Sequence, residues 1–261
     1  MGEEITMSLQ IEQFICRKDN IAVILHDEAS RKTLAIDAPD ATKMGTVLRD
    51  RGWGLDFLLI THHHEDHTSG IAALKQEWGT YVVGPKFEAD KIDNLDRLVE
   101  EGNQIDFAAH PIEVIATPGH TAGGISYYLP QDGLVFTGDT LFSLGIGRLF
   151  ECSADIMLPS LKKLKKLPSK TQIYCGHDYT KNNGCFALSV DGDNPDLHNR
   201  LAQVDICHQK GQITLPTTLE VELQTNPFLR YDNCNIITNL KMVGCDDVAV
   251  LAELRRRKDV F

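Results

Sequence analysis

The 261-residue chain contains no run of about 18 consecutive apolar residues, the length a helix needs to cross a bilayer. It is short of positive charge: 26 lysines and arginines stand against 37 aspartates and glutamates, a formal net charge of −11. Nucleic-acid backbones and anionic membrane surfaces are bound by positive charge, so neither is the expected partner. The seven cysteines, at positions 16, 152, 175, 185, 207, 234 and 245, form no CxxC pair and no tightly spaced framework. That excludes a small disulfide-stapled secreted module and predicts free thiols in a reducing, cytoplasmic compartment. The N-terminus has neither a basic segment nor an apolar core, so it does not read as a secretory signal. Met1-Gly2-Glu3-Glu4-Ile5-Thr6 matches the loose pattern for N-myristoylation; a chance match, or an extension ahead of a start at Met7, is the simpler reading. Internal repeats and Ser-His-Asp or Cys-His nucleophile motifs are also missing.

What remains is an ordinary globular composition, 42 % hydrophobic and 24 % charged, on a chain long enough for a full core. Short apolar runs alternate with turn residues over the first two-thirds. Ile21–Leu25 and Thr33–Ile36 read as paired strands around the polar turn Asp27–Ser30, and Ala41–Arg51 as a helix ending near Gly52. Phe57–Ile60, Val82-Val83, Ile112–Ile115 and Gln172–Cys175 read as further strands, and Ile125–Leu129 with Leu134–Phe136 as a hairpin. Leu158, Leu161, Leu164 and Leu167 form one helical stripe, with Lys162, Lys163, Lys165 and Lys166 on a solvated face. From about residue 183 onward the pattern is helical: Asn183–Val190, Asp196–Lys210, Leu219–Gln224 and Asp246–Arg257. The expectation is an α/β domain over residues 1–177 and a smaller helical domain over 178–261, the boundary falling within 176–182.

The informative segment is Thr61-His62-His63-His64-Glu65-Asp66-His67, directly after the strand Phe57–Ile60. In extended chain alternate side chains share a side, so His62 and His64 can converge while His63 points away. A turn towards Ser69-Gly70 can then bring Asp66 and His67 to the same pocket. Imidazole and carboxylate are ligands for zinc, manganese and iron(II) at neutral pH. His62, His64, Asp66 and His67 already exceed what one tetrahedral ion with an open position requires. His120, Asp139 and His177 each follow a glycine and each stand just past a strand. Singly, each is an ordinary strand-end cap; together with the histidine run they predict a metal site.

The ordered set His62-x-His64-x-Asp66-His67, His120, Asp139 and His177 resembles the metallo-β-lactamase superfamily and, within it, glyoxalase II (hydroxyacylglutathione hydrolase). The resemblance spans essentially the whole chain. It implies a four-layer αβ/βα sandwich with a smaller C-terminal α-helical domain closing over two divalent ions, zinc first, with iron or manganese as alternatives. His62, His64 and His120 would hold one ion, Asp66, His67 and His177 the other, and Asp139 would bridge both. His63 and Glu65 match non-ligand positions. Asp66 and Asp139 would thereby support a bridging hydroxide as nucleophile; a thiol with a pKa near ~8.5 leaves as thiolate, so a thioester needs no strong proton donor.

The implied reaction is hydrolysis of S-(2-hydroxyacyl)glutathione, typically S-D-lactoylglutathione, to glutathione and D-lactate, the second step of methylglyoxal detoxification. Arg255-Arg256-Arg257-Lys258 is a sharp basic cluster in an acidic chain, which by itself reads as a helix end complementing the macrodipole. By the resemblance, Arg255 and Lys258 would contact the glutathione carboxylates, joined by Arg148, Tyr179 and Asn183. Phe150 departs from the pattern: glutathione-using relatives carry tyrosine there, so one hydroxyl contact is missing. The expected partner is a small glutathione thioester and the expected state a monomer. Alternatives are a mononuclear-iron persulfide dioxygenase of the same superfamily, using fewer of these ligands, and a non-enzymatic binding module, which should lack ligands.

Overall fold

A computed structural model describes residues 9–261. The Met1–Thr6 pattern and Met7 lie outside the described residues.

The first sheet comprises β1 (Leu9–Cys16), β2 (Asn20–Asp27), β3 (Lys32–Ile36), β4 (Phe57–Leu59), β5 (Tyr81–Pro85) and β6 (Arg97–Val99), hydrogen-bonded in chain order. β1–β3 are antiparallel and β3–β6 parallel. The second sheet contains β7 (Gln104–Phe107), β8 (His110–Ala116), β9 (Ile125–Leu129) and β10 (Leu134–Phe136). A small hairpin of β11 (Leu141–Phe142) and β12 (Gly145–Ile146) follows. β13 (Gln172–Tyr174) then pairs parallel to β10, and β14 (Thr217–Thr218) closes that edge.

The helices are α1 (Ala41–Arg51), α2 (Glu65–Thr68), α3 (Ile71–Trp78), α4 (Ala154–Leu164), α5 (Thr180–Asp191), α6 (Pro195–Gln209), α7 (Leu219–Thr225), α8 (Cys234–Leu240) and α9 (Asp247–Asp259).

The layers follow from strand periodicity. On β2, Ile21, Val23 and Leu25 face the second sheet and meet Ile112, Val114, Tyr127 and Phe136. The intervening Ala22 and Ile24 face outward, against Met44 and Leu48 of α1 and Ile71 and Leu74 of α3. The second sheet repeats the arrangement: Tyr128, Val135 and Ile173 face Met157, Leu158, Leu161 and Leu164 of α4. A strand buried on both faces reads as a continuous apolar run, which is why β2 was legible. Both sheets with their covering helices make the expected four-layer αβ/βα sandwich. The lysines of α4 do more than face water: Lys162 pairs with Asp247 and Lys163 with Glu101.

β1 and α3 went unread because their patterns are mixed. β1 carries Gln10, Glu12 and Gln13 and lies at a half-buried sheet edge. Caps explain the better-defined ends: Asp40 accepts from the Lys43 N–H at the start of α1, and Gly52 closes it with φ +69°. The segment after His177 adds β14 to the second sheet and shares one hydrophobic cluster with α4. Within it, the fully buried Glu222 accepts from Ser143 Oγ, Thr217 Oγ1, the Leu144 N–H and Asn226 Nδ2. This carboxylate ties the β11–β12 hairpin to α7.

Candidate metal centre

The ends of β3, β4, β10 and β13 and the β8–β9 connection meet at one edge of the sandwich. Backbone bonds join the two sheets there: Ile21 N–H donates to Gly176 O at 2.7 Å and Ile125 N–H to Thr61 O at 3.0 Å. After β4 the chain stays extended through His64 and then makes the single turn of α2. Extended backbone puts His62 and His64 together, and the turn swings Asp66 and His67 inward. Both movements match the sequence reading.

Nε2 of His62 lies 3.1 Å from Nδ1 of His64, which lies 3.0 Å from Nε2 of His120. Beside this trio, Nε2 of His177 is 3.3 Å from Asp66 Oδ2, and Nε2 of His67 is 3.7 Å from the same oxygen. Asp139 sits between the groups, 3.4 Å from both His67 Nε2 and His177 Nε2 and 3.5 Å from His120 Nε2. Two glycines permit this crowding. A Cβ on Gly176 would stand 2.3 Å from Asp139 Oδ1, and Gly138 has φ +49°.

The residues fit two cations. His67 Nε2 and Asp139 Oδ1 are buried with no hydrogen-bond partner, a costly arrangement unless a ligand engages them. Each of the five imidazoles of the set except His64 has its other ring nitrogen held by an oxygen. His62 Nδ1 is 2.9 Å from Thr61 Oγ1, His67 Nδ1 2.8 Å from Asp37, His120 Nδ1 2.8 Å from Arg148 O and His177 Nδ1 2.9 Å from Asp19. Anchoring of this kind orients metal-ligating histidines.

Electrostatics agree. Burial, then neighbouring histidines, holds His62 and His64 below the ordinary imidazole value, so both are neutral with free lone pairs. Burial would raise Asp139, but His67 and His177 outweigh it and keep the carboxyl well below its usual range. The hydrogen bond from His177 does the same for Asp66. Conversely, burial would lower His67, yet Asp139 and Asp37 push it up. The cluster of carboxylates favours positive charge at this point.

The centre opens into a cavity of about 580 Å³ lined by His64, Asp66, His120, Asp139 and His177, and by Arg148, Phe150, Tyr179, Asn183, Arg255 and Lys258. All twelve expected site residues are thus accounted for at one place: ten line the cavity, and His62 and His67 stand behind its wall. Tyr179 stacks on His177 with ring centroids 4.8 Å apart. Phe150 is 62 % exposed, its ring 5.3 Å from that of His120. Asn183 Nδ2 donates to Ser143 O. Arg255 is buried, donates to Ile146 O at 2.9 Å and pairs with Asp259 at 2.8 Å.

Asp37, Thr61 and Asp19 hold imidazoles of the centre and were not read from the sequence. Asp37 does carry the signal that flagged Asp139, an acid just past a strand end. Asp19 carries none.

Comparison with known proteins places this geometry. Residues 35–177 match the metallo-beta-lactamase superfamily model, and residues 178–261 match the model for the hydroxyacylglutathione hydrolase C-terminus. A hydroxyacylglutathione hydrolase of Brucella anthropi is 49 % identical over 253 residues, covering 97 % of each chain. One from Brucella ovis is 50 % identical, over 97 % of this chain and 98 % of the relative. Among solved structures, ETHE1 from Myxococcus xanthus aligns with a TM-score of 0.67 at 24 % identity, over 96 % of this chain and 99 % of that one. TTHA1623, solved in a di-iron-bound form, gives 0.61 at 23 %, over 84 % and 100 %. The structural likenesses establish the fold, and the sequence matches extend over both the sandwich and the helical segment. The chain therefore belongs to the metallo-beta-lactamase superfamily and, within it, to the hydroxyacylglutathione hydrolase family.

Proposed function

We propose that this protein hydrolyses the thioester of S-(2-hydroxyacyl)glutathione, with S-D-lactoylglutathione as the typical substrate, releasing free thiol and a 2-hydroxy acid. The carrying observation is the complete set of candidate ligands with Asp139 between its halves, opening into a cavity lined by Arg148, Arg255 and Lys258. His62, His64 and His120 would hold one ion, Asp66, His67 and His177 the second, and Asp139 both. The chemistry two divalent ions would supply there is activation of a water at neutral pH and polarisation of the thioester carbonyl.

The chain's own residues do the rest. The neutral His62 and His64 and the ionised Asp66 and Asp139 are ready to ligate without first losing protons. Arg148, Arg255 and Lys258 give an acidic thioester a cationic mouth within an acidic protein. The face of Phe150 narrows the entrance beside His120 and His64. Tyr179, stacked on His177, fixes that imidazole and presents its edge to the cavity. A thiolate leaves without a general acid, so no further proton donor is needed.

In this reading residues 1–177 form the catalytic domain and 178–261 the domain that covers the substrate, in a monomeric, cytoplasmic enzyme loaded with zinc. Seven free cysteines, Cys16 and Cys175 buried, support a reducing compartment. No helix among the described residues is long and apolar enough to cross a membrane. The persulfide dioxygenase alternative is not favoured: the relatives at 49–50 % identity bear the hydrolase name, and that alternative would leave much of the second metal site unused.

The test is turnover of S-D-lactoylglutathione by purified protein carrying two equivalents of metal, with thiol and D-lactate both measured. Asp139→Ala should abolish it. No turnover by the loaded wild-type protein, or oxygen consumption on glutathione persulfide with one iron per chain, would overturn the reading.

A further inference from the structure

The middle histidine of the run, His63, points away from the metal centre, yet it is not idle. Its Nδ1 lies 2.9 Å from Glu88 Oε2 and its Nε2 3.3 Å from Glu151 Oε1. Each carboxylate also grips backbone. Glu88, 1 % exposed, accepts from the His63 N–H at 2.7 Å through Oε2 and from the Gly123 N–H at 2.9 Å through Oε1. Glu151 accepts from the Ala122 N–H at 2.8 Å. One ring and two carboxylates therefore bind the 62–64 segment to the 120–123 segment. The first carries His62 and His64; the second carries His120.

Glycine at 123 is part of this contact. A Cβ there would stand 2.6 Å from Glu88 Cγ and 2.8 Å from Phe87 Cβ, so a side chain would force the two segments apart. His63, Glu88 and Glu151 also have a spacing that could hold a cation. Their existing bonds argue otherwise: both oxygens of Glu88 already accept N–H donors, and Lys91 already places positive charge 3.1 Å from Glu151.

We propose that His63, Glu88 and Glu151 form a clasp that sets the separation between the two chain segments whose histidines close on one ion. It rests on the two-ion reading given above. The three are positioning residues: none reaches the cavity, and each acts on His62, His64 and His120 through backbone. Orienting groups of this kind typically change metal affinity or activity by about 10–100-fold.

The test titrates metal-stripped full-length protein with zinc alone, against a competing chelator, and follows thermal unfolding on the same samples. Glu88→Ala should weaken one zinc site by about 10–100-fold and leave the other within about threefold. Glu88→Gln, which keeps one oxygen acceptor, should fall between it and wild type, and Gly123→Ala should reproduce the loss with Glu88 intact. Crossing with ligand variants identifies the site. Glu88→Gln should change nothing further in a His120→Ala background and should weaken the remaining site in a His177→Ala background. Steady-state kinetics should show a lower kcat at subsaturating zinc, with KM within about twofold. Wild-type affinity at both sites in Glu88→Gln overturns the clasp. So does equal weakening of both sites together with a lower unfolding temperature, which would mark Glu88 as a general fold residue. Wild-type turnover tests the hydrolase reading and the variant zinc affinities test the clasp, so each can fail alone.

Discussion

Nδ1 of His67 lies 2.8 Å from Oδ2 of Asp37, and that carboxylate also accepts from the backbone N–H and the hydroxyl of Thr61, at 2.8 and 2.9 Å. The Thr61 hydroxyl in turn stands 2.9 Å from Nδ1 of His62. One buried carboxylate thus orients a histidine in each half of the centre. Its backbone adopts the left-handed conformation, φ +57°, at the end of β3.

Asp37→Ala should therefore weaken both halves at once, where Glu88→Ala weakens one. Zinc competition is expected to show about 10–100-fold losses at both sites. Denaturant unfolding should show a cost of about 1–3 kcal/mol, because the Thr61 donors are left buried and unpaired. Wild-type zinc affinity would refute this role.

Gly176 leaves room for Asp139 and His67 and for nothing else. In Gly176→Ala the added methyl would lie 2.3 Å from Asp139 Oδ1 and 2.6 Å from His67 Cε1. Displacement of the carboxylate by about 1 Å should lower kcat about 100-fold or more. Gly54→Ala, where a Cβ meets nothing within 4 Å, is the control and should keep full activity.

With Lys258 contacting substrate as proposed, its titration is expected to set a pH limit on binding. Burial first, then Arg255 and Arg148, pushes its amine down to about 8, against the opposing pull of Cys185 and Asp259. The amine is charged below that value and neutral above it, so kcat/KM for an anionic thioester should fall as pH rises through about 8. Arginine stays charged throughout this range, and Lys258→Arg should carry the plateau to higher pH. Identical alkaline limbs in the two proteins would show that another group sets the limit.

Phe150→Tyr adds, at this exposed position, the hydroxyl that the family resemblance led us to expect there. A hydrogen bond there has a net value of about 0.5–1.5 kcal/mol, which corresponds to about a two- to tenfold lower KM for a glutathione thioester. The kcat should stay within about twofold, since the ring stands beside the centre and not in it. An unchanged KM would show that the thiol carrier does not reach this position.

Residue order alone determined the donors and much of the frame. In His62-x-His64-x-Asp66-His67, local geometry is sufficient: extended chain and one helical turn bring four candidate ligands to one pocket. Gly119-His120, Gly138-Asp139 and Gly176-His177 were legible because close approach demands glycine and the candidate ligand follows immediately. The strands buried on both faces, such as β2, announced themselves as apolar runs, whereas the half-polar edge strand β1 did not.

Tertiary structure alone decided which nitrogen each histidine offers and how firmly it is held. That depends on pairs distant in sequence: Asp37 with His67, Asp19 with His177, Glu88 with His63 and Gly123. Such partners meet only after the two sheets stack in register, and hydrogen bonds place no periodicity on the chain that could reveal them beforehand. The same reason hid Glu222, a carboxylate that reads as a surface residue of α7 until the β11–β12 hairpin folds onto it and supplies its donors.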